Sequence, residues 1–279
     1  MIHTSRQLKA LVRNISQGDS ARAQIIIRNY VMERFLERLS LSQYRDNLIL
    51  KGGVLVAAMV GLNNRSTMDV DTTLKNLPLN EDSAREIVEG ITAVEIDDGL
   101  SFEIKSVSPI MDEADYPGVR IMLDTTLETM HTPLKIDFST GDVITPREVS
   151  YSFRLLFEER AISLLAYNLE TVLAEKIETL LSRGTANTRM RDFYDIFVLT
   201  NTQARNINET TLREAFMKTS EKRGSLASLV DADLILNEIS ESAALIDLWR
   251  SYQRKFDYAA EISWESVMEA VRHILHVVR

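Results

Sequence analysis

The 279-residue chain predicts an α+β fold: a mixed sheet with flanking helices, followed by a helical C-terminal region. Two observations point to it. Short runs of β-forming residues cluster between positions 48 and 138, whereas from about Tyr167 onward the apolar residues recur at helical spacing. Strands followed by helices, without strict alternation, indicate α+β architecture with a helical extension. We place an α/β core over 1–160 and a helical region over 161–279; no Gly/Pro-rich linker marks the change.

Each element has its own signal. Ala21 to Leu39 carries Ile25, Ile26, Tyr30, Val31, Phe35, Leu36 and Leu39 near helical spacing, with charges between them. Leu48-Ile49-Leu50 reads as a strand leading into Gly52-Gly53, and Val54–Leu62 as a helix of small apolar residues. Asn63-Asn64 is a turn signal, and Met68 to Leu74 a strand. Ser83 to Gly90 is a helix, followed by β-rich segments at 100–110, 119–126 and 133–138, the last two joined as a hairpin through 127–132. Helices then follow at 168–181, 190–199, 209–219, 226–247 (with a break), 248–256 and 264–278.

Composition narrows the chemistry. Hydrophobic content of 45% and charged content of 26% are those of a globular domain able to bury a core. With 0 Cys, disulfides and cysteine-ligated zinc are excluded. None of the 4 His has a glutamate placed to form a zinc-protease helix. No apolar run approaches the roughly 20 residues of a membrane helix, and the N-terminus lacks a signal core, so we expect a cytoplasmic protein with no membrane partner. A net charge of −9 argues against general polyanion binding; any nucleic-acid contact needs a local basic patch.

The most informative stretch is Lys51-Gly52-Gly53 followed by Asp69-Val70-Asp71. Two carboxylates one residue apart on a strand share a face. That placement is costly unless a cation neutralises it. Structural carboxylates on surface strands give the same pattern, and a plain loop uses paired glycine as readily. Amides at a helix start after the glycine pair suit a phosphate. Asp137, in Lys135-Ile136-Asp137-Phe138, supplies a third carboxylate if its strand neighbours the first; otherwise it belongs to a half-exposed strand face. Three acidic groups suffice for two Mg2+ ions in phosphoryl transfer. Lys176 falls inside the stripe Leu169, Val172, Leu173, Ile177, Leu180 and Leu181. It either snorkels to the helix edge or points into an electronegative cleft. Asp192 and Asp195 share one side of a following helix, where Asp192 alternatively complements the helix dipole. The intervening 182–191 loop carries Arg183, Arg189 and Arg191.

Taken in order, Lys51-Gly52-Gly53, Arg65-Ser66-Thr67-Met68-Asp69-Val70-Asp71, Lys135-Ile136-Asp137, Glu175-Lys176 and Arg191-Asp192-Phe193-Tyr194-Asp195-Ile196 resemble the AbiEii-type nucleotidyltransferase toxins of abortive-infection toxin–antitoxin systems. The resemblance covers roughly 45–200. It implies a nucleotidyltransferase-like core, an NTP substrate, Mg2+, a cognate AbiEi-type antitoxin and, as in some relatives, a tRNA 3′ end as acceptor. It also implies roles for individual residues. Gly52 and Gly53 open the phosphate-facing helix, with Ser66 and Thr67 as a polar lead-in and Arg65 assisting at the phosphates. Asp69 and Asp71 bind metal, joined by Asp137 if its strand is adjacent. Lys176 is the motif lysine and Asp192 the motif aspartate. Many nucleotidyltransferases have Gly-Ser where this chain has Gly52-Gly53, so no serine hydroxyl serves a phosphate there. The reading requires Asp69 and Asp71 to act together with Lys176 and Asp192. If RNA is the acceptor, the 183–191 arginines with Lys218, Lys222 and Arg223 are candidate phosphate contacts. Two rivals stand: the same chemistry on a protein or small-molecule hydroxyl, and a non-catalytic module that inhibits growth by occupying a partner.

Overall fold

The computed structural model describes residues 1–110 and 118–279. The chain divides into two compact units. The first comprises Met1–Leu62, Ser66–Asp142 and Val149–Ala166; the second comprises Asn63–Arg65, Val143–Glu148 and Tyr167–Arg279.

The first unit is built on a mixed sheet of β1 (Leu48–Lys51), β2 (Asp69–Leu74), β3 (Leu100–Ile110), β4 (Gly118–Leu127), β5 (Met130–Thr140), β6 (Val149–Arg154) and β7 (Ala161–Ala166). Their spatial order is β3-β4-β5-β2-β1-β7-β6. β2 runs parallel to β5 and β1 parallel to β7, while the remaining pairs are antiparallel. Alternation does the sorting: Val70, Ile121, Ile136 and Phe138 are buried on one face, so the residues between them lie on the other. Strands β6 and β7 are absent from the sequence reading. β6 alternates as Val-Ser-Tyr-Ser-Phe-Arg but lies at the sheet edge, where Val149, Ser150, Ser152 and Arg154 are exposed.

Helices α1 (Ser5–Ser16), α2 (Ser20–Leu41), α3 (Gly52–Val60) and α4 (Glu81–Thr92) complete this unit. Thr4 and Gln7 form a capping box at α1, and Asp19 caps α2 by accepting the Ala21 and Arg22 amides. The charges of α2 do not face water. Glu33, Arg34, Glu37 and Arg38 are all buried, because the polar side of the helix is covered as well as the apolar one. Arg38 makes a two-bond pair with Asp98 at 2.7 and 2.8 Å, and Arg34 meets Glu158 and Glu37 at 2.9 Å. Glu33 accepts the Leu156 amide at 2.9 Å.

Burial, with Glu158 and Glu37 nearby, pushes the Glu33 carboxyl up to about 8 against the pull of the Leu156 amide and Arg34. The folded state therefore keeps a proton that the unfolded chain releases above about 4.5. Stability then falls as pH rises through that window. Glu33→Gln keeps an acceptor for Leu156 and should flatten this slope, gaining on the order of a few kcal/mol over wild type at pH 8 but little at pH 4. Denaturant midpoints at both pH values check it.

The second unit is helical: α5 (Leu169–Arg183), α6 (Met190–Thr202), α7 (Glu209–Lys222), α8 (Ala232–Glu241), α9 (Ala243–Lys255) and α10 (Trp264–Val278). Leu173, Ile177, Leu180, Phe193, Ile196, Phe216, Trp249, Val267, Val271 and Ile274 form its buried interior. The break expected within 226–247 falls at Ser242, whose hydroxyl accepts the Leu245 amide and starts α9, so α9 begins earlier than the expected 248. The segment 143–148 is tied in by Asn168, which donates to the Thr145 carbonyl at 2.6 Å and caps α5 through the Thr171 amide. No helix among the described residues is long and apolar enough to cross a membrane.

Candidate active site

Strand β1 runs directly into α3 through Gly52, with no intervening loop. Gly52 has φ +63°, and an added Cβ would lie 2.2 Å from Asp71 Oδ2. Both the backbone conformation and the close approach therefore require glycine. The Gly53 amide donates to Asp71 Oδ2 at 3.3 Å. The glycine pair thus presses a helix start against a carboxylate of β2. Gly52→Ala should cost about 1–2 kcal/mol through its left-handed backbone alone. It should also displace the Asp71 carboxylate. A melting curve measures the stability cost.

Register assembles the rest of this cluster. Lys51 on β1 opposes Asp71 on β2, Asp71 opposes Asp137 on β5, and Asp137 opposes Arg120 on β4. Residues directly opposite share a face, so a single row reads Lys51, Asp71, Asp137, Arg120 across four strands. One pleat away, Asp69 opposes Lys135. The strand of Asp137 is therefore the immediate neighbour of the Asp69–Asp71 strand. Arg120 grips Asp137 with two bonds of 2.8 Å. Lys135 Nζ lies 2.7 Å from Asp69 Oδ2 and 3.7 Å from Asp137 Oδ2. Burial, then the neighbouring Asp137 and Asp69, raise the Asp71 carboxyl above the ordinary aspartate range, opposed by the Gly53 amide and Lys51.

Lys51 in turn holds Asp142 at 2.6 Å, and Ser139 Oγ donates to the same carboxylate at 2.7 Å. Burial alone would raise Asp142; Lys51 and the Ser139 and Thr73 hydroxyls bring it down to about 2. Ser66 and Thr67 are buried at the entry to β2. Thr67 Oγ1 donates to the Asp69 carbonyl at 3.4 Å, and Asn29 donates to the Thr67 carbonyl at 3.4 Å. Their polar groups set the start of the Asp strand.

The second unit holds its own charged cluster. Lys176 Nζ lies 2.8 Å from Asp192 and 2.8 Å from Asp195. Arg65 grips Asp195 with bonds of 2.6 and 3.2 Å. Burial opposes every charge here. Even so, Lys176 and Arg65 hold the Asp195 carboxyl low, and the two aspartates hold the Lys176 ammonium above its usual range. Lys176 therefore does not snorkel. It is fixed among carboxylates with its side chain 12% exposed.

Of the residues expected from sequence, Gly52, Gly53, Asp69, Asp71 and Asp137 come together in the first unit, and Arg65, Lys176 and Asp192 in the second. Arg65 is 2% exposed with its guanidinium committed to Asp195, so it anchors that cluster in place of the expected phosphate contact. Arg223 pairs with Glu175 and Glu178 at 3.0 and 2.5 Å, whereas Arg183, Arg189, Lys218 and Lys222 are exposed. Sequence reasoning missed Arg120 and Asp142, which carry no spacing signal; only strand register reveals them. It weighed Asp195 without giving it a role, although Asp195 is the most buried member of its cluster.

No group of three or more acidic or histidine side chains among the described residues is arranged as a ready metal cage. The donor chemistry nevertheless fits a hard divalent cation: Asp69, Asp71 and Asp137 offer oxygen alone. The Lys135 ammonium already takes up a cation's position between two of them.

Comparison with known proteins agrees with this architecture. A solved structure of MenT4, a nucleotidyltransferase toxin from Mycobacterium tuberculosis H37Rv, is 16% identical with a TM-score of 0.58, covering 97% of this chain and 99% of that one. JHP933 from Helicobacter pylori is 15% identical with a TM-score of 0.53, covering 91% and 93%. At these identities the likeness speaks for the fold. Comparison with curated protein sequences gives no match. The family model described as nucleotidyl transferase AbiEii toxin, type IV TA system, matches residues 34–274. The chain belongs to the AbiEii family of nucleotidyltransferase toxins from type IV toxin–antitoxin systems.

Proposed function

We propose that this toxin transfers a nucleotide from an NTP to the 3′ end of a tRNA in a Mg2+-dependent reaction, as part of an abortive-infection defence. The observation that carries the reading is the Asp71–Asp137 pair opposed across β2 and β5, beneath the Gly52-Gly53 helix start. A close carboxylate pair raises the free energy of the folded protein, so a function that uses its charge is the economical explanation.

Asp69, Asp71 and Asp137 would hold the cation. A cation held there would supply charge withdrawal from the phosphates. Gly52 and Gly53 let backbone amides approach the triphosphate, and the Ser66-Thr67 segment keeps Asp69 in register. Lys176, oriented by Asp192 and Asp195, neutralises phosphate charge. Asp192 orients the acceptor hydroxyl and takes its proton. The acceptor oxygen forms its bond to the α-phosphorus while the bond to pyrophosphate breaks. The contribution of these residues would be largely positioning and electrostatics.

For the acceptor, support comes from Arg183 at the end of α5, Arg189 in the connection and Arg191 at the start of α6, of which Arg183 and Arg189 are exposed on an acidic protein. Charge reversal at Arg183 and Arg189 should weaken RNA modification and reduce its salt dependence. The acidic toxin also suits electrostatic attraction to a basic surface on its antitoxin.

The decisive experiment incubates purified protein with each labelled NTP, Mg2+ and total cellular RNA. Label at tRNA 3′ ends, abolished by chelation, is the expected result. Label in protein or small molecules alone would replace the acceptor and leave the donor chemistry standing. Absence of transfer with intact growth inhibition would favour action by occupying a partner.

A further inference from the structure

Strand register places Asp69 and Lys135 side by side on one face, within salt-bridge reach. The two residues are directly opposed on adjacent parallel strands, which lie about 4.7–4.9 Å apart in any sheet. Lys135 Nζ reaches Asp69 at 2.7 Å and spans to Asp137 at 3.7 Å. Its companions are committed differently. Arg120 approaches Asp137 with a two-bond grip from the far side, and Lys51 bonds Asp142. Lys135 therefore bridges two of the three carboxylates that would hold a divalent cation, with its side chain 25% exposed.

We propose that Lys135 is the resident counter-ion of Asp69, and that a divalent cation is bound only by displacing its ammonium from that carboxylate. The inference rests on the metal reading of the carboxylates given above and adds a competitor built into the chain. An ammonium tethered to β5 stays nearby after displacement. It opposes the incoming charge, and the protein holds its carboxylates balanced when no metal is present. Lys135 is thus a positioning residue whose charge sets metal affinity.

Titration of Mn2+ alone, without nucleotide, into the full-length protein tests this by calorimetry or by the spin resonance of free Mn2+. Lys135→Met should tighten Mn2+ binding by about tenfold or more, since it removes a unit charge within a few ångströms of the seat. Lys135→Arg, which keeps the charge, should stay within about twofold of wild type. Lys135→Gln replaces the methionine variant if circular dichroism shows the latter misfolded. Unchanged or weaker Mn2+ binding on loss of the charge would overturn the proposal, as would no binding by any variant. Labelled-nucleotide transfer by wild type, run in parallel, separates the two levels. Transfer without a Lys135 effect on Mn2+ rejects the counter-ion alone, whereas no transfer rejects the reading beneath it.

Discussion

Asp71→Asn should abolish nucleotide transfer and at the same time stabilise the protein at neutral pH. The loss follows from removing a charge from a preorganised electrostatic site, worth about 10²–10³-fold when a single stabilising group goes. The gain follows from the direction of the Asp71 titration. Burial and the neighbouring carboxylates raise its carboxyl above the ordinary range. Above that range, ionised Asp71 penalises the folded state relative to the unfolded chain, and stability falls as pH rises through the window. Asparagine keeps an oxygen for the Gly53 amide and removes the penalty. A melting temperature above wild type at pH 7, with transfer lost, is the paired outcome. A variant both active and no more stable would contradict the assignment. Opposed effects on stability and activity are characteristic of residues retained for function.

The second large effect is structural. Asp195→Ala leaves Arg65 and Lys176 side by side in the interior of the second unit without their shared anion. Breaking a buried ion pair by deleting one partner typically costs about 3–5 kcal/mol, and here the deleted anion is shared by two cations, of which Lys176 keeps Asp192. Asp192→Ala removes the more exposed partner while Lys176 keeps Asp195, so it should cost less than Asp195→Ala. Urea denaturation of both variants gives the comparison. The sign with pH is opposite to that of Asp71: the Asp195 carboxyl is held low, so its contribution is complete above the unfolded value and lost as pH falls through the folded one. If Asp192→Ala proves the more destabilising, the hierarchy within the cluster is wrong.

Legibility in the sequence followed the reach of each interaction. The Asp69-Val70-Asp71 strand, the Gly52-Gly53 turn into α3 and the helical period of α5 depend on neighbours within one turn or one pleat, and they could be read directly. The short strands β6 and β7 were not read, although β6 alternates as Val-Ser-Tyr-Ser-Phe-Arg, because six residues each at the far side of the sheet pair with partners that the local sequence does not name. Charges on α2 resemble a solvated face until Asp98 and Glu158, distant in sequence, cover them. Arg65 illustrates the same limit from the side of function. Next to Ser66 and Thr67 it looks like a phosphate ligand, but a partner 130 residues away claims it. The sequence shows which groups have charge to offer; only the fold shows which are already spoken for.

The split path of the chain has a consequence for how the toxin is made. Asn63–Arg65 belongs to the unit whose remaining residues are mostly translated last, and the anion that receives Arg65 follows it by 130 residues. A ribosome adding about 5–20 residues per second takes on the order of ten seconds to bridge that gap. Throughout that interval the nascent polypeptide lacks Lys176 and Asp192 for most of the time and carries a guanidinium still awaiting its mate. A product terminated before residue 195 would lack the carboxylate that Arg65 grips, and the charged cluster of the second unit would stay incomplete.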